Sequence, residues 1–336
     1  MRRFKAALIG CGAIHESHAA ALADSPYVEL CTVVDVIEPR AAATAAKYGC
    51  AYTTDYRMVL EDNSIEVVHL CTPHFLHAEM AVEALRAGKH VLTEKPLGLS
   101  LAQCEEMIRA SDASGRQLGV CFQNRYNSNS LRVRELVSSG AVGRVLGAKA
   151  ILTWGREASY YTGSPWKGTW AGEGGGVLIN QSIHTLDLLQ WVLGMPAGIK
   201  GNVDRRFLQD VIEVEDTAEA TLRYADGTLT FFFATNGYPT DAAVEIEVVC
   251  EKAVLRLAGD LTVRWSDGHV ETYFERNRRE GDKAYWGGSH RDLIQDFYEC
   301  LAEDRPFPLD GRQGMQSLRL ITALYASSEK RDWVTP

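Results

Sequence analysis

The sequence has no apolar run long enough to span a bilayer, no CxxC pair and no excess of basic residues. Each absence removes a class of function. A membrane-spanning helix needs roughly 20 consecutive apolar residues. A protein that neutralises nucleic-acid phosphates carries a basic stripe. This chain instead sets 35 Lys and Arg against 44 Asp and Glu, for a formal net charge of -9. Its eight cysteines stand singly, at 11, 31, 50, 71, 104, 121, 250 and 300. Small buried thiols in a reducing cytoplasm account for them better than disulfides or a metal. His15-Glu16-Ser17-His18 is not HExxH, the nine histidines show no zinc spacing, and no GxSxG turn occurs. No metal centre and no serine nucleophile are therefore expected. The opening MRRFKAALIGCG runs from two arginines straight into a strand and a glycine turn, without the separate apolar region of an export signal. There is no repeat, low-complexity tract or long linker.

What is present is strand-helix alternation. The 336 residues allow one large or two ordinary domains. FKAALIGCGAIHESHAAALADS reads as strand, glycine-rich turn and helix. Gly10 permits the turn, Gly12 lets a diphosphate approach the backbone, and the helix entry through Ala13 and Ile14 offers free N–H groups. His15 stands where a third Gly or Ala is usual. A second strand ends at Asp35, where an acidic residue would meet the adenosine ribose hydroxyls and repel a 2′-phosphate, which favours NAD over NADP. The competing reading of Asp35 is a cap for the next helix. IEVVHLCT is a further strand broken by Thr72-Pro73, and the helix beyond it carries His74 and His77, read as packing residues. GKHVLTEKPLGLS then places Glu94 and Lys95 at the end of a buried strand, with Pro96 holding Lys95 extended. In an open α/β sheet that rim binds ligands. The fold class is thus α/β, a doubly wound parallel sheet over residues 1–123. Residues 124–336 form a second, α+β domain whose strand-like runs and Asp-Gly turns at 226–227 and 267–268 predict an antiparallel sheet. The last helix, about 311–330, is a candidate to pack back on the first domain.

In the second half, YYTGSPWKGTWAGEGGG is an aromatic, glycine-rich loop of the kind that lines sugar pockets or covers a core. GGGVLINQSIHTLDLLQWVLG continues as a helix in which Asn180 and His184, four apart, share a face and Asp187 could steady the His184 ring. By spacing alone His184 is an ordinary histidine.

GCGAIHESH, the strand-ending Asp35, CTPHFLHAEMAVEALRAGKHVLTEKP and GGGVLINQSIHTLDLLQWVLG together resemble the Gfo/Idh/MocA oxidoreductases, named for glucose–fructose oxidoreductase, inositol dehydrogenase and rhizopine catabolism. The resemblance covers nearly the whole chain, and AGKHVxxEKP is its most specific block. It implies a Rossmann domain, a second domain with an open sheet, and a nicotinamide cofactor. Gly10, Gly12, Ala13, Ile14, Asp35, Thr72, Pro73, His77, Glu94 and Lys95 are the expected cofactor contacts. The resemblance also implies that Lys95 reaches the reacting oxygen and that His184 faces the nicotinamide as general acid/base. Inositol-dehydrogenase-like members carry Asp where this chain has Asn180, which can orient a hydroxyl but cannot take its proton. Asn124, Arg125, Tyr161, Trp166, Asn180 and His184 are the expected substrate contacts, with Tyr160 and Lys167 in the same loops. The expected activity is NAD-dependent oxidation of a sugar, sugar derivative or cyclic polyol. A reductase of a keto- or anhydrosugar and a non-catalytic dinucleotide-binding regulator are the alternatives. An uncovered sheet face predicts a homodimer or homotetramer, with no nucleic-acid or membrane partner.

Overall fold

The computed structural model describes residues 2–277 and 288–336, which divide into two compact units. The first comprises residues 1–123 and 289–315, the second 124–288 and 316–336. The second unit therefore does not run unbroken to the carboxyl terminus: a helix near residue 300 returns to the first. The start of the final helix is counted with the first unit and the rest with the second.

In the first unit the strands are β1 (Phe4–Ile9), β2 (Val28–Val34), β3 (Ala51–Thr53), β4 (Val67–Leu70), β5 (His90–Thr93) and β6 (Leu118–Val120). All pair in parallel, in the order β3-β2-β1-β4-β5-β6. That is the doubly wound order, and it reverses direction between β1 and β4, where such sheets open a ligand crevice. The connecting helices are α1 (His15–Asp24), α2 (Glu38–Tyr48), α3 (Arg57–Glu61), α4 (His77–Arg86) and α5 (Leu101–Ser114). The start of α5 is fixed by Ser100, whose hydroxyl accepts the Gln103 N–H at 3.3 Å. β4 is buried at every position, as a strand covered on both faces must be.

The second unit holds α6 (Ser128–Ser138), β7 (Val145–Thr153), α7 (Ala158–Thr162), α8 (Ile183–Leu193), β8 (Gly198–Asp204), β9 (Thr217–Arg223), β10 (Leu229–Thr235), β11 (Glu245–Cys250), β12 (Ala253–Ala258), β13 (Asp260–Trp265) and β14 (Val270–Tyr273). The eight strands form one sheet, β14-β13-β12-β11-β7-β10-β9-β8, antiparallel except for β10 beside β7. The Asp-Gly turns close the β9–β10 and β13–β14 hairpins, with Gly227 and Gly268 at positive φ. Its strands alternate buried and outward positions, so the sheet has a core face and an open face. The remaining helices are α9 (His290–Ala302), in the first unit beside α1, and α10 (Gly311–Lys330). Among the described residues no helix is long and apolar enough to cross a membrane.

Candidate functional site

β1 hands over to Gly10 at φ 98°, a conformation L side chains rarely adopt. A Cβ there would lie 2.6 Å from the Cys71 carbonyl oxygen, so glycine lets this turn lie against the end of β4. At Gly12 an added Cβ would meet no atom within 4 Å, which leaves the space beside the turn open. Ala13 is exposed and Ile14 leads into α1. His15 has a local purpose: its ring bonds the Gly12 carbonyl and, at 3.2 Å, the Thr44 hydroxyl, which ties the turn to α2. Asp35 accepts the Cys11 N–H on one oxygen and the Ile37 N–H on the other, both at 2.8 Å. Asp35 does not cap α2, whose N-cap is Ile37 with no side-chain bond; the two N–H groups instead hold its carboxylate beside the glycine turn. Thr72 Oγ1, at the end of β4, is buried with no hydrogen-bond partner among the described residues. A native buried hydroxyl without a partner calls for a ligand. An open Gly12, the orphaned Thr72 hydroxyl, Asp35 and the amino terminus of α1 fit a dinucleotide. Pro73 begins the short turn His74–Leu76 that leads into α4.

From Val91 to Gly98 every residue is buried except Lys95. The Lys95–Pro96 peptide is cis. Glu94, an expected cofactor contact, points inward instead. One of its oxygens is bonded by His18 Nε2 at 3.0 Å and His290 Nε2 at 3.3 Å, and the other accepts the Lys95 N–H at 3.2 Å. Burial alone would raise its pKa, but the two histidine N–H groups outweigh it and hold the carboxyl well below the ordinary range. The hydrogens can then be assigned in sequence. His18, kept neutral mainly by burial, donates from Nε2 and so accepts on Nδ1 from His69 Nδ1 at 3.0 Å. His69, also neutral through burial, accepts on Nε2 from the Tyr298 hydroxyl at 2.9 Å. Among the described residues His18, Glu94 and His290 are the one group that could hold a metal ion, with ligand atoms within 4.8 Å of one another and Cys121 Sγ 3.8 Å from His18. As hydrogen bonds alone, the same contacts satisfy every one of these atoms.

His77 is a second correction. It is fully buried, and its ring is bonded by the Pro96 carbonyl at 2.7 Å and the Thr72 carbonyl at 2.9 Å. It staples the end of β4 to the Lys95–Pro96 turn and faces no open space. Only a charged ring donates to both carbonyls, and burial works against that charge, holding the pKa below the ordinary value. The thiols of Cys71 and Cys121 are likewise pushed well up by burial and stay protonated.

In the second unit two of the three glycines before α8 are required by close contacts with Glu215 and Tyr325. A Cβ on Gly176 would lie 1.8 Å from the Glu215 carbonyl oxygen, and one on Gly175, 2.1 Å from the Tyr325 hydroxyl. Glu215 Oε1 accepts from Gly176 N, Leu178 N and Tyr325 OH at 2.9–3.0 Å. The helix itself starts only at Ile183, so Asn180 lies in the turn ahead of it rather than one helical turn below His184. The two still stand out together: from Val177 to Gln190 every residue is buried except Asn180 and His184.

Other expectations change. Arg125 is 4% exposed and makes a bidentate pair with Asp187 at 2.6 and 2.7 Å, so its guanidinium is committed inside the unit rather than offered to a substrate. Asp187 also accepts from Gln190 and Ser317; among the described residues these donors, not the His184 ring, hold it. Tyr161 is 3% exposed, packed with Leu208, Ile212 and Val214, and its hydroxyl takes the Asn236 amide at 3.0 Å. On the short α7 its neighbour Tyr160 packs edge-on against the Tyr161 ring, and its hydroxyl meets Asn180. Lys167 Nζ lies 3.7 Å from the Tyr160 ring centre, and Arg156, paired with Asp241, lies 5.4 Å from it. Trp166 is half-buried near Lys167. Asn124 Oδ1 is buried without a partner among the described residues. Sequence reasoning misses Glu173, Gln181 and Asn236. A lone acid within AGEGGG is the signal for Glu173, but nothing in the spacing says that it folds inward.

Two family profiles match the chain: "Oxidoreductase family, NAD-binding Rossmann fold" over residues 4–122, and the GFO/IDH/MocA carboxyl-terminal domain over 130–256. Inositol 2-dehydrogenase of Salmonella typhimurium is 29% identical over 251 residues, 74% of this chain and 68% of its own length. D-Glucoside 3-dehydrogenase of Escherichia coli is 27% identical, covering 97% of this chain and 95% of its own. The crystal structure of the WlbA dehydrogenase of Bordetella pertussis, in complex with NADH and UDP-GlcNAcA, superposes with a TM-score of 0.86 at 28% identity, covering 100% of this chain and 99% of that one.

Proposed function

Because the chain belongs to the Gfo/Idh/MocA oxidoreductases, we propose that it oxidises a secondary hydroxyl of a sugar, sugar derivative or cyclic polyol with NAD. The observation that carries this reading is the pattern of exposure. Lys95 is the one opening in a buried segment, and Asn180 and His184 are the two openings in another. The relatives named inositol 2-dehydrogenase and D-glucoside 3-dehydrogenase, and the WlbA structure with a nucleotide-sugar acid, support the substrate class.

NAD, when bound, supplies the hydride acceptor. Gly10, Gly12, Ala13, Ile14, Asp35, Thr72 and Pro73 are the residues we assign to holding it. Lys95 hydrogen-bonds the reacting hydroxyl oxygen and stabilises the alkoxide charge that develops there. His184 takes the hydroxyl proton, a task suited to a group that titrates near neutrality. Asn180 orients the substrate. Asp35 favours NAD, and a kinetic preference of the unmodified protein for NADP would reject that role.

The test is incubation with NAD and a panel of inositol, methyl glucosides and UDP-GlcNAcA, with NADH read by absorbance. Turnover of any of them that is lost in Lys95→Ala and in His184→Ala supports the proposal; turnover retained in both variants overturns it. We further propose a homodimer or homotetramer formed through the open sheet face, where Leu229 and Phe231 are exposed, and a reducing, cytoplasmic setting consistent with eight free cysteines. A monomer by light scattering would reject the assembly.

A further inference from the structure

A side chain that sequence spacing does not mark, Glu173, decides what Asn180 offers a substrate. Glu173 is 1% exposed and lies in the loop between α7 and α8. One of its oxygens accepts the Gly168 N–H and the other accepts the Asn180 Nδ2. The same Nδ2 is 3.3 Å from the Tyr160 hydroxyl, which Gln181 Nε2 also approaches at 3.5 Å. An amide has two ends of opposite character, one that only donates and one that only accepts. A carboxylate can only accept, so Glu173 forces the NH₂ end of Asn180 toward itself and the carbonyl oxygen away. The Tyr160 ring that completes the arrangement is held by Lys167 and Arg156 at its faces. Its hydroxyl stays protonated: burial first, then the Glu173 charge, raise its pKa.

We propose that Glu173 is a positioning residue that locks the Asn180 amide in this orientation, so that the half-buried position presents an acceptor and selects substrates that place a hydroxyl donor against it. This rests on the reading of Asn180 and His184 as the substrate side. A glutamine at 173 can keep only one of the two contacts as acceptor. With its oxygen on Gly168, its NH₂ faces Asn180, and the Asn180 amide turns over to present a donor. An aspartate at 180 next to the native Glu173 sets two carboxylates at hydrogen-bonding distance, which cannot both ionise there. In the double variant the new amide at 173 donates to the new carboxylate at 180, whose second oxygen again faces outward as an acceptor.

The experiment is steady-state kinetics of the full chain with NAD and whichever panel sugar is turned over fastest, together with the melting temperature of each variant. Glu173→Gln is expected to raise KM and lower kcat/KM about tenfold or more, since a mismatched hydrogen-bonding end is rejected strongly. Asn180→Asp is expected to keep activity only while the two carboxylates share a proton, and to lose it as the pH rises and the pair gives that proton up. The double variant Glu173→Gln/Asn180→Asp is expected to return to within about threefold of the parent, because the two changes couple rather than add. Unchanged kinetics in Glu173→Gln overturn the proposal. A double variant as impaired as the two singles combined also overturns it, because a carboxylate at 180 could not repair a loop that merely needed Glu173 as an anchor. His184→Ala leaves this pair intact: full activity in that variant means the reading of the substrate side has failed, whereas its loss alongside a neutral Glu173→Gln means that only the present inference has.

Discussion

Two segments, one in each unit, are built to the same plan by different means. Val91–Gly98 and Val177–Gln190 are both buried runs opened only at their polar chemistry, Lys95 in one and Asn180 with His184 in the other. Each is anchored by a buried carboxylate. In the first, the N–H groups of two histidines hold the Glu94 charge. In the second, Asp187 is paired with the Arg125 guanidinium at 2.6 Å. Complete burial keeps His18 neutral, so its N–H meets the carboxylate as a dipole and not as a charge. An arginine-held one does not depend on donor titration at all. Rigidity around a reactive position can thus be built from dipoles or from charge, and the two fail differently.

The sharpest break in the comparison is at the openings themselves. Lys95→Ala is expected to lower turnover on the order of 10³-fold, the scale of removing one donor from a developing oxyanion. NAD affinity, read by quenching of the protein's fluorescence, should stay close to the parent's, because the glycine turn, Asp35 and Thr72 are untouched. Turnover within tenfold of the parent would remove Lys95 from the chemistry.

The next largest effect concerns the anchors. Arg125→Ala strands the Asp187 carboxylate, 1% exposed, with Gln190 and Ser317 as its remaining side-chain donors among the described residues. Breaking a buried pair from one side costs roughly 3–5 kcal/mol. Urea unfolding at pH 7 should show a loss of that size. His290→Ala, by contrast, leaves His18 still donating to Glu94 and should cost less. Equal losses would mean that Glu94 leans on both histidines as heavily as Asp187 leans on Arg125.

What can be read from sequence follows the same division. The first unit is legible because its signals are local: Gly10 lies two residues from Gly12, Asp35 ends the next strand, and Lys95 follows an apolar run. Strand ends of a parallel sheet converge on one rim by topology, so local spacing is enough to bring them together. Even there the direction of a side chain is not legible. Glu94 and Lys95 are neighbours on an extended chain, where successive side chains alternate faces, and only one of them could point outward. His77 sits four residues after Pro73 and could have faced either way. In the second unit the contacts span loops: Glu173 with Asn180, Tyr160 with both Asn180 and Gln181, Asn236 with Tyr161. No periodicity links such positions, and a one-residue shift on a five-residue helix exchanges Tyr161 for Tyr160.

A third carboxylate distinguishes the two units by pH. Glu215 supports the glycines ahead of α8, and burial pushes its pKa up to about 7 against the partial relief of the Gly176 and Leu178 N–H groups and Tyr325. Its second oxygen is buried without a partner among the described residues. Tyr325 stays protonated throughout, its own pKa raised well above the ordinary value by burial and by the charges of Glu215 and Glu173. Between the ordinary glutamate value and about 7 the folded chain therefore holds a proton that the unfolded chain has released. Stability falls as the pH rises through that window, by up to about 3 kcal/mol, and the full cost is present above it. Glu215→Gln keeps an acceptor for the two backbone N–H groups and never ionises. Urea unfolding of parent and variant at about pH 5 and about pH 8 should show the variant gaining on the parent by about 2–3 kcal/mol between the two conditions. Two stability curves that stay parallel would place the Glu215 pKa in the ordinary range and show that its three donors offset its burial in full.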